Sequence, residues 1–218
     1  MKNLTTKLLI AFTLICLNLF QLQAQVPGEF RSASSGAWSS VLTWQTYNGS
    51  IWIPATGAPS FAGPKITVRS PHIVTVTSNL TIDETTVEPG GELAVDFGDT
   101  LTILDGPGDD LILMSGNYGI AGSLEVLSGA RIAGGASLNY SAPSLINNGT
   151  IDLSFLSYAG SVDNQTIFGN GTISQLITFN SAFGIYLGGN LTISNTLNFN
   201  YGNCDQKYLN NNISINLY

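Results

Sequence analysis

Three groups of residues in this chain have the types and spacing for chemistry. Asp105-Gly106-Pro107-Gly108-Asp109-Asp110-Leu111-Ile112-Leu113 nearly fits the nonapeptide Gly-Gly-x-Gly-x-Asp-x-apolar-x that binds calcium in stacked β-rolls, with Asp105 in place of the first glycine. Calcium takes about six to eight oxygen ligands, and Asp105, Asp109 and Asp110 with the carbonyls of a Gly-rich turn supply several of them. No neighbouring stretch repeats the pattern, which favours an acidic solvated loop over a calcium site. Trp38, Trp44 and Trp52, with Tyr47 among them, are close enough in sequence to build one aromatic surface on which sugar rings could stack. The competing reading, which the composition of the segment favours, is a small aromatic core that plugs one end of the fold.

The third group is acidic. Asp83, Glu84, Glu88, Glu92, Asp96, Asp99, Asp109 and Asp110 could provide the facing carboxylate pair of a glycoside hydrolase, but no spacing marks two of them out, and clustered acids ordinarily form a solvated face. A lyase would need a basic residue, for which the repeat region offers Lys65, Arg69, Arg131 and Lys207. His72 is the only histidine, so no metal site with two His ligands exists, and its place beside Pro71 makes it structural. Cys204 with His72 as a nucleophile pair would require a chance approach from far along the chain. No catalytic residue is assigned, and no cofactor is expected beyond the calcium alternative.

These groups must be positioned by strands. Residues 1–24 read as a signal peptide: Lys2 and Lys7 precede the apolar stretch Leu8 to Phe20, and Leu22-Gln23-Ala24 ends in a small residue before Gln25. The apolar stretch is shorter than the roughly 20 residues a spanning helix needs. The mature chain is then expected outside the cell without a membrane span. Cys16 leaves with the leader, so Cys204 has no internal disulfide partner. Loss of Lys2 and Lys7 takes the formal charge from −7 to −9, which argues against nucleic acid as a partner. Nine of the fourteen acids fall between Asp83 and Asp110, a stretch without Lys or Arg, whereas residues 111–218 carry six charged residues. With 44% hydrophobic content the chain is too apolar for a disordered one.

The period of the mature sequence is the strongest architectural signal. Asn79-Leu80-Thr81-Ile82 recurs as Thr100-Leu101-Thr102-Ile103 and as Asn190-Leu191-Thr192-Ile193, with weaker copies at Ser123-Leu124-Glu125-Val126, Gly149-Thr150-Ile151-Asp152-Leu153 and Gly171-Thr172-Ile173. Steps of roughly 20 to 25 residues between short strands indicate stacked coils. Alternation in Lys65-Ile66-Thr67-Val68-Arg69 and Ile73-Val74-Thr75-Val76-Thr77 points Ile66, Val68, Val74 and Val76 inward, with Ser70-Pro71-His72 as the turn between. From Leu80 onward the strands read as three or four residues long, separated by corners such as Pro89-Gly90-Gly91, Gly134-Gly135 and Gly188-Gly189. An antiparallel sandwich would favour longer strands and tight hairpins.

The resulting expectation is an all-β protein, a single-stranded parallel β-helix or solenoid with an N-terminal aromatic cap. Its segments are the leader 1–24, a cap 25–62, and about six or seven coils within 63–218. The Leu and Ile of each repeat stack inside and the intervening Thr faces water. Corner Asn tolerates positive φ and can ladder its amide from coil to coil.

The run Ser35-Gly36-Ala37-Trp38-Ser39-Ser40, then Thr43-Trp44, Gly57-Ala58-Pro59, Gly63-Pro64-Lys65-Ile66-Thr67-Val68 and His72-Ile73-Val74-Thr75-Val76 resembles the opening of large secreted bacterial cell-surface proteins with right-handed parallel β-helix repeats. It is also similar to the eight-glycine extracellular domain, with Pro64 where that pattern has Asp and Pro71 where it has Gly. The resemblance implies an adhesin-like, non-enzymatic scaffold or stalk, with an extracellular glycan or surface protein as partner. Such proteins usually end in a type IX secretion sorting domain. Its lack here, with Asn210 to Asn216 starting another coil, implies a truncated or frameshifted product. A carbohydrate-active β-helix enzyme or a glycan-binding module is the alternative.

Overall fold

The computed structural model describes residues 25–106, 110–114, 123–140, 144–158, 165–174, 177–179, 185–194, 197–199 and 214–215. The leader, Asp109 and Cys204 lie outside the described residues. The chain is all-β: the described residues form strands and a single 3-10 turn at Val41–Thr43, with no α-helix.

Short alternating runs become strands because their apolar residues share one face. Ile66, Val68, Val74 and Val76 are fully buried, as their alternation predicts, and Leu101, Ile103, Leu124, Val126, Leu191 and Ile193 follow the same rule. The strands then pair in parallel with their equivalents one repeat away. Gly36–Ala37, Ile73–Val76, Glu92–Val95, Ser123–Val126, Ser144–Asn147, Gln165–Gly169 and Ile185–Gly189 form one sheet in which each strand bonds to the next repeat. In a second sheet, Phe30–Ser32, Ile66–Val68, Thr85–Val87 and Leu111–Leu113 pair in parallel in that order. A further row of that sheet aligns Leu80, Leu101, Ile132, Ile151, Ile173, Ile193 and Ile215 at matched register. Parallel strands buried on one side lend their apolar residues to a common interior, and a single core cluster runs from Trp38 to Ile193.

The repeat is less regular than 20 to 25 residues. Leu93 pairs with Leu124 and Leu101 with Ile132, because the chain between Ile103 and Ser123 carries extra residues around the short strand Leu111–Leu113. Strand lengths also depart from three or four residues: Arg131–Tyr140 has 10 and Thr150–Tyr158 has 9. Each of these strands serves two rows of the second sheet, with a register shift between Gly134 and Ser137. Gly134 makes the bend possible. Its φ is +140°, and a Cβ there would overlap Ile103 O, so only glycine lets the layers approach while the ladder continues.

Within residues 25–62, two strands join the repeats and two cover their outer edge. Phe30–Ser32 and Gly36–Ala37 pair in parallel with Ile66–Val68 and Ile73–Val76, so they are the first layer of the same stack. The covering function falls to the antiparallel hairpin Trp44–Tyr47 and Trp52–Pro54, which saturates the outer edge of Phe30–Ser32. An edge strand left open would present unpaired N–H and C=O groups to other chains.

The described corner asparagines do not use the positive φ that they tolerate. Among the described residues the one non-glycine with positive φ is Glu84, at 48°. The glycines beside the corners take that role, and the Asn side chains instead accept backbone N–H groups from the next layer: Asn148 Oδ1 from Asn170 at 3.2 Å, and Asn170 Oδ1 from Asn190 at 3.3 Å. The amide ladder is therefore built from side chain to backbone.

Candidate functional site

The aromatic group divides in two. Trp38 and Trp44 are 2% and 1% exposed, and their rings meet edge to face at a centroid distance of 4.8 Å. Both indole N–H groups are satisfied, Trp38 Nε1 by Pro59 O at 3.0 Å and Trp44 Nε1 by Trp38 O at 2.7 Å. Rings so enclosed have no free face for a sugar. Trp52 is half-buried at the rim of the hairpin, 5.3 Å from Tyr47. Its ring carries the guanidinium of Arg31, with Cζ 4.3 Å from the ring centroid.

The calcium candidates are separated in environment. Asp105 is exposed, whereas Asp110 is 8% exposed and its Oδ1 accepts the Gly106 N–H at 3.1 Å. Asp109 lies outside the described residues. Among the described residues no group of three or more His, Cys, Asp or Glu side chains converges on one point.

His72 stitches the first layer to the second. Its Nδ1 lies 2.8 Å from the Ser32 hydroxyl, which also accepts the Arg69 N–H at 2.8 Å. Ser32 is fully buried, and a hydroxyl that donates to Nδ1 while accepting from Arg69 satisfies it on both counts.

A groove of about 1090 Å³ lies on the outer side of the second sheet. Register places its lining in three rows. Glu29, Lys65 and Glu84 stand just before their strands, and Arg69, Glu88 and Met114 stand just after. Arg31, Thr67, Thr86 and Ile112 form the row between, one residue from each successive layer. Trp52 walls the hairpin end, and Asp83 lies beside Glu84. Neighbouring layers are about 4.8 Å apart, so the groove offers a short ladder of polar groups crossing the strands.

Electrostatics in the groove are unusual for so acidic a chain. Among the described residues the basic side chains are Arg31, Lys65, Arg69 and Arg131, and the first three line this groove. The one ion pair among the described residues is elsewhere, between Arg131 and Asp152. Arg31 is held by the indole beneath it and by Gln45, whose Oε1 accepts its Nε–H at 2.9 Å. Burial lowers the Arg31 guanidinium from its ordinary value, neighbouring Arg69 lowers it further, and Glu88 opposes them. The guanidinium stays charged at neutral pH.

Of the acids considered as catalytic, Asp83, Glu84 and Glu88 share this groove. Glu92 lies on the other sheet, within 3.3 Å of the Ser123 hydroxyl. Arg31 was not among the residues whose spacing suggested chemistry, and its partners explain why. It meets Arg69 only because Phe30–Ser32 pairs with Ile66–Val68, across a gap filled by the hairpin. The alternation of Phe30, Arg31 and Ser32 was the available signal, too short to be read alone.

No protein-family model, curated protein or solved structure matches this chain.

Proposed function

We propose that this protein is a secreted or cell-surface parallel β-helix that works as a non-enzymatic, adhesin-like scaffold or stalk, presenting its lateral face to an extracellular partner. The observation that carries the reading is the matched register of Leu80, Leu101, Ile132, Ile151, Ile173 and Ile193 in parallel strands, one per repeat. A stack of this kind buries its core by repetition and exposes long, regular sides, which suits a spacer that displays a binding surface. The leader-like segment 1–24 and the resemblance of residues 35–95 to secreted surface proteins support export. The reading requires no cofactor.

A polysaccharide-active enzyme is the second reading, favoured by the meeting of Asp83, Glu84 and Glu88 with Arg31, Lys65 and Arg69 in one groove. One set of measurements separates the two. Methyl NOEs between Leu101 and Ile132, and between Ile173 and Ile193, test the stack; their absence overturns it. Expression in a bacterial host should yield an exported chain beginning at Gln25, and a panel of neutral and acidic polysaccharides should show no release of reducing ends or unsaturated products. Product release that is lost on Glu88→Gln would establish the enzyme instead.

A further inference from the structure

We infer that the groove over the first four strands of the second sheet is a binding site for an acidic glycan, in which Arg31 and Arg69 hold the carboxylate of a uronate sugar. The inference rests on the surface-scaffold reading and names the ligand of its lateral face.

Arg31 and Arg69 are diagonal neighbours on adjacent parallel strands, since Arg31 pairs with Thr67 and Arg69 follows two residues later. Neither belongs to an ion pair among the described residues, although Glu29 and Glu88 line the same groove. Two guanidinium groups side by side repel each other, and a fold tolerates the arrangement most easily when an anion completes it. Arg31 is also preorganised. The Trp52 ring supports its face and Gln45 takes its Nε–H, which leaves the terminal Nη groups for the planar, two-point hydrogen bonding that a carboxylate accepts. Trp52 thus acts as a positioning residue for Arg31 and not as the surface on which a sugar stacks.

The remainder of the lining favours a sugar over an acidic peptide. Glu29, Glu84, Glu88 and Asp83 are acceptors, and Thr67 and Thr86 add hydroxyls that donate or accept. A uronate ring carries one carboxylate among several hydroxyl donors, so it satisfies both halves of this lining. A run of Asp or Glu side chains would set further carboxylates against these four and leave only backbone N–H groups to donate to them. The same acids set a limit on charge density. With a formal charge of −9 on the chain after loss of Lys2 and Lys7, a polymer bearing a carboxylate on every sugar is repelled at long range, whereas one with neutral sugars between its uronates is repelled less.

The test uses the mature chain and three probes: a hexasaccharide alternating glucuronate with N-acetylglucosamine, the same hexasaccharide with its carboxylates reduced to alcohols, and hexaglutamate. Calorimetry should show binding of the first and at least a tenfold weaker response to the second. Arg69→Gln should weaken the first by tenfold or more and leave the second unchanged, with the thermal midpoint recorded to confirm folding. Trp52→Leu should lower affinity for the acidic form while affecting the reduced form less, as expected if the indole acts through Arg31. Equal binding of the acidic and reduced hexasaccharides, or binding of neither, overturns the inference, and hexaglutamate binding as tightly as the acidic sugar replaces the glycan with a protein partner. Retention of the methyl NOEs and of export in any of those cases shows that this inference has failed and the scaffold reading has not.

Discussion

The first layers of the stack and the later ones are held together by different means. Around residues 30–59 the fold depends on few, individual contacts between distant parts of the chain: the Trp38–Trp44 ring pair, the two indole N–H bonds, and Ser32 bonded to both His72 and Arg69. From Ser123 to Ser194 the same positions recur in each layer, with Ile132, Ile151, Ile173 and Ile193 in register and an Asn ladder along the corner. Chemistry is divided along the same line. Arg31, Lys65 and Arg69 gather on the first layers, where irregular segments bring unlike residues together, while the repeating layers offer chiefly neutral polar groups. Repetition builds a core, and the irregular first strands gather the basic residues in one groove.

The difference can be attacked at its strongest point. Trp44→Ala removes the most enclosed aromatic of the end layer and should cost about 3–5 kcal/mol, read as a shift in the urea midpoint. Hydrogen exchange should show protection lost first around residues 30–37 and largely kept at residues 172–193, since a stack couples each layer chiefly to its neighbours. Uniform loss of protection would mean that the two regions form one cooperative unit.

Within the repeating layers the effects should be smaller. Asn147 is fully buried, donates from Nδ2 to Thr172 O at 3.1 Å and accepts the Gly149 N–H at 3.2 Å. Asn147→Ala leaves those buried groups unpaired and should cost about 1–3 kcal/mol in the same denaturation assay. Asn170→Ala, at an exposed corner, should cost less than half as much. Equal losses would show that the exposed ladder matters as much as the buried amide.

The smallest effect belongs to the surface. Arg131 and Asp152 form an ion pair with side chains 50% and 27% exposed, so Arg131→Ala should change stability by less than about 1 kcal/mol, with the difference vanishing in added salt. A larger, salt-insensitive loss would assign the pair a part in holding the layers together.

Strand content, the inward residues and the matching of repeats were legible because each rests on a local pattern. Alternation assigns Ile66, Val68, Val74 and Val76 to the core, and the recurring Leu-Thr-Ile identifies which strands are equivalent. Leu80 shows the limit of that logic: it has the same sequence context as Leu101 but is only partly buried, because its strand starts its row and lacks a layer beneath it. Bends were less readable than strands. The 10-residue strand Arg131–Tyr140 contains Gly134-Gly135, which sequence alone marks as a corner; the ladder shifts register there, between Gly134 and Ser137, while the strand itself continues.

By itself the sequence determined the β character of the chain, its period and the residues that face its interior, since side-chain alternation and repeat spacing are properties of neighbours along the backbone. Only the tertiary structure decided that residues 30–37 form the first layer, that Trp38 and Trp44 are enclosed while Trp52 supports Arg31, and that Arg31 stands beside Arg69. The first layer and the Arg31–Arg69 approach depend on parallel pairing across more than thirty residues, and the Trp52 support on an antiparallel hairpin laid against Phe30–Ser32; no local preference encodes which strand will lie beside which.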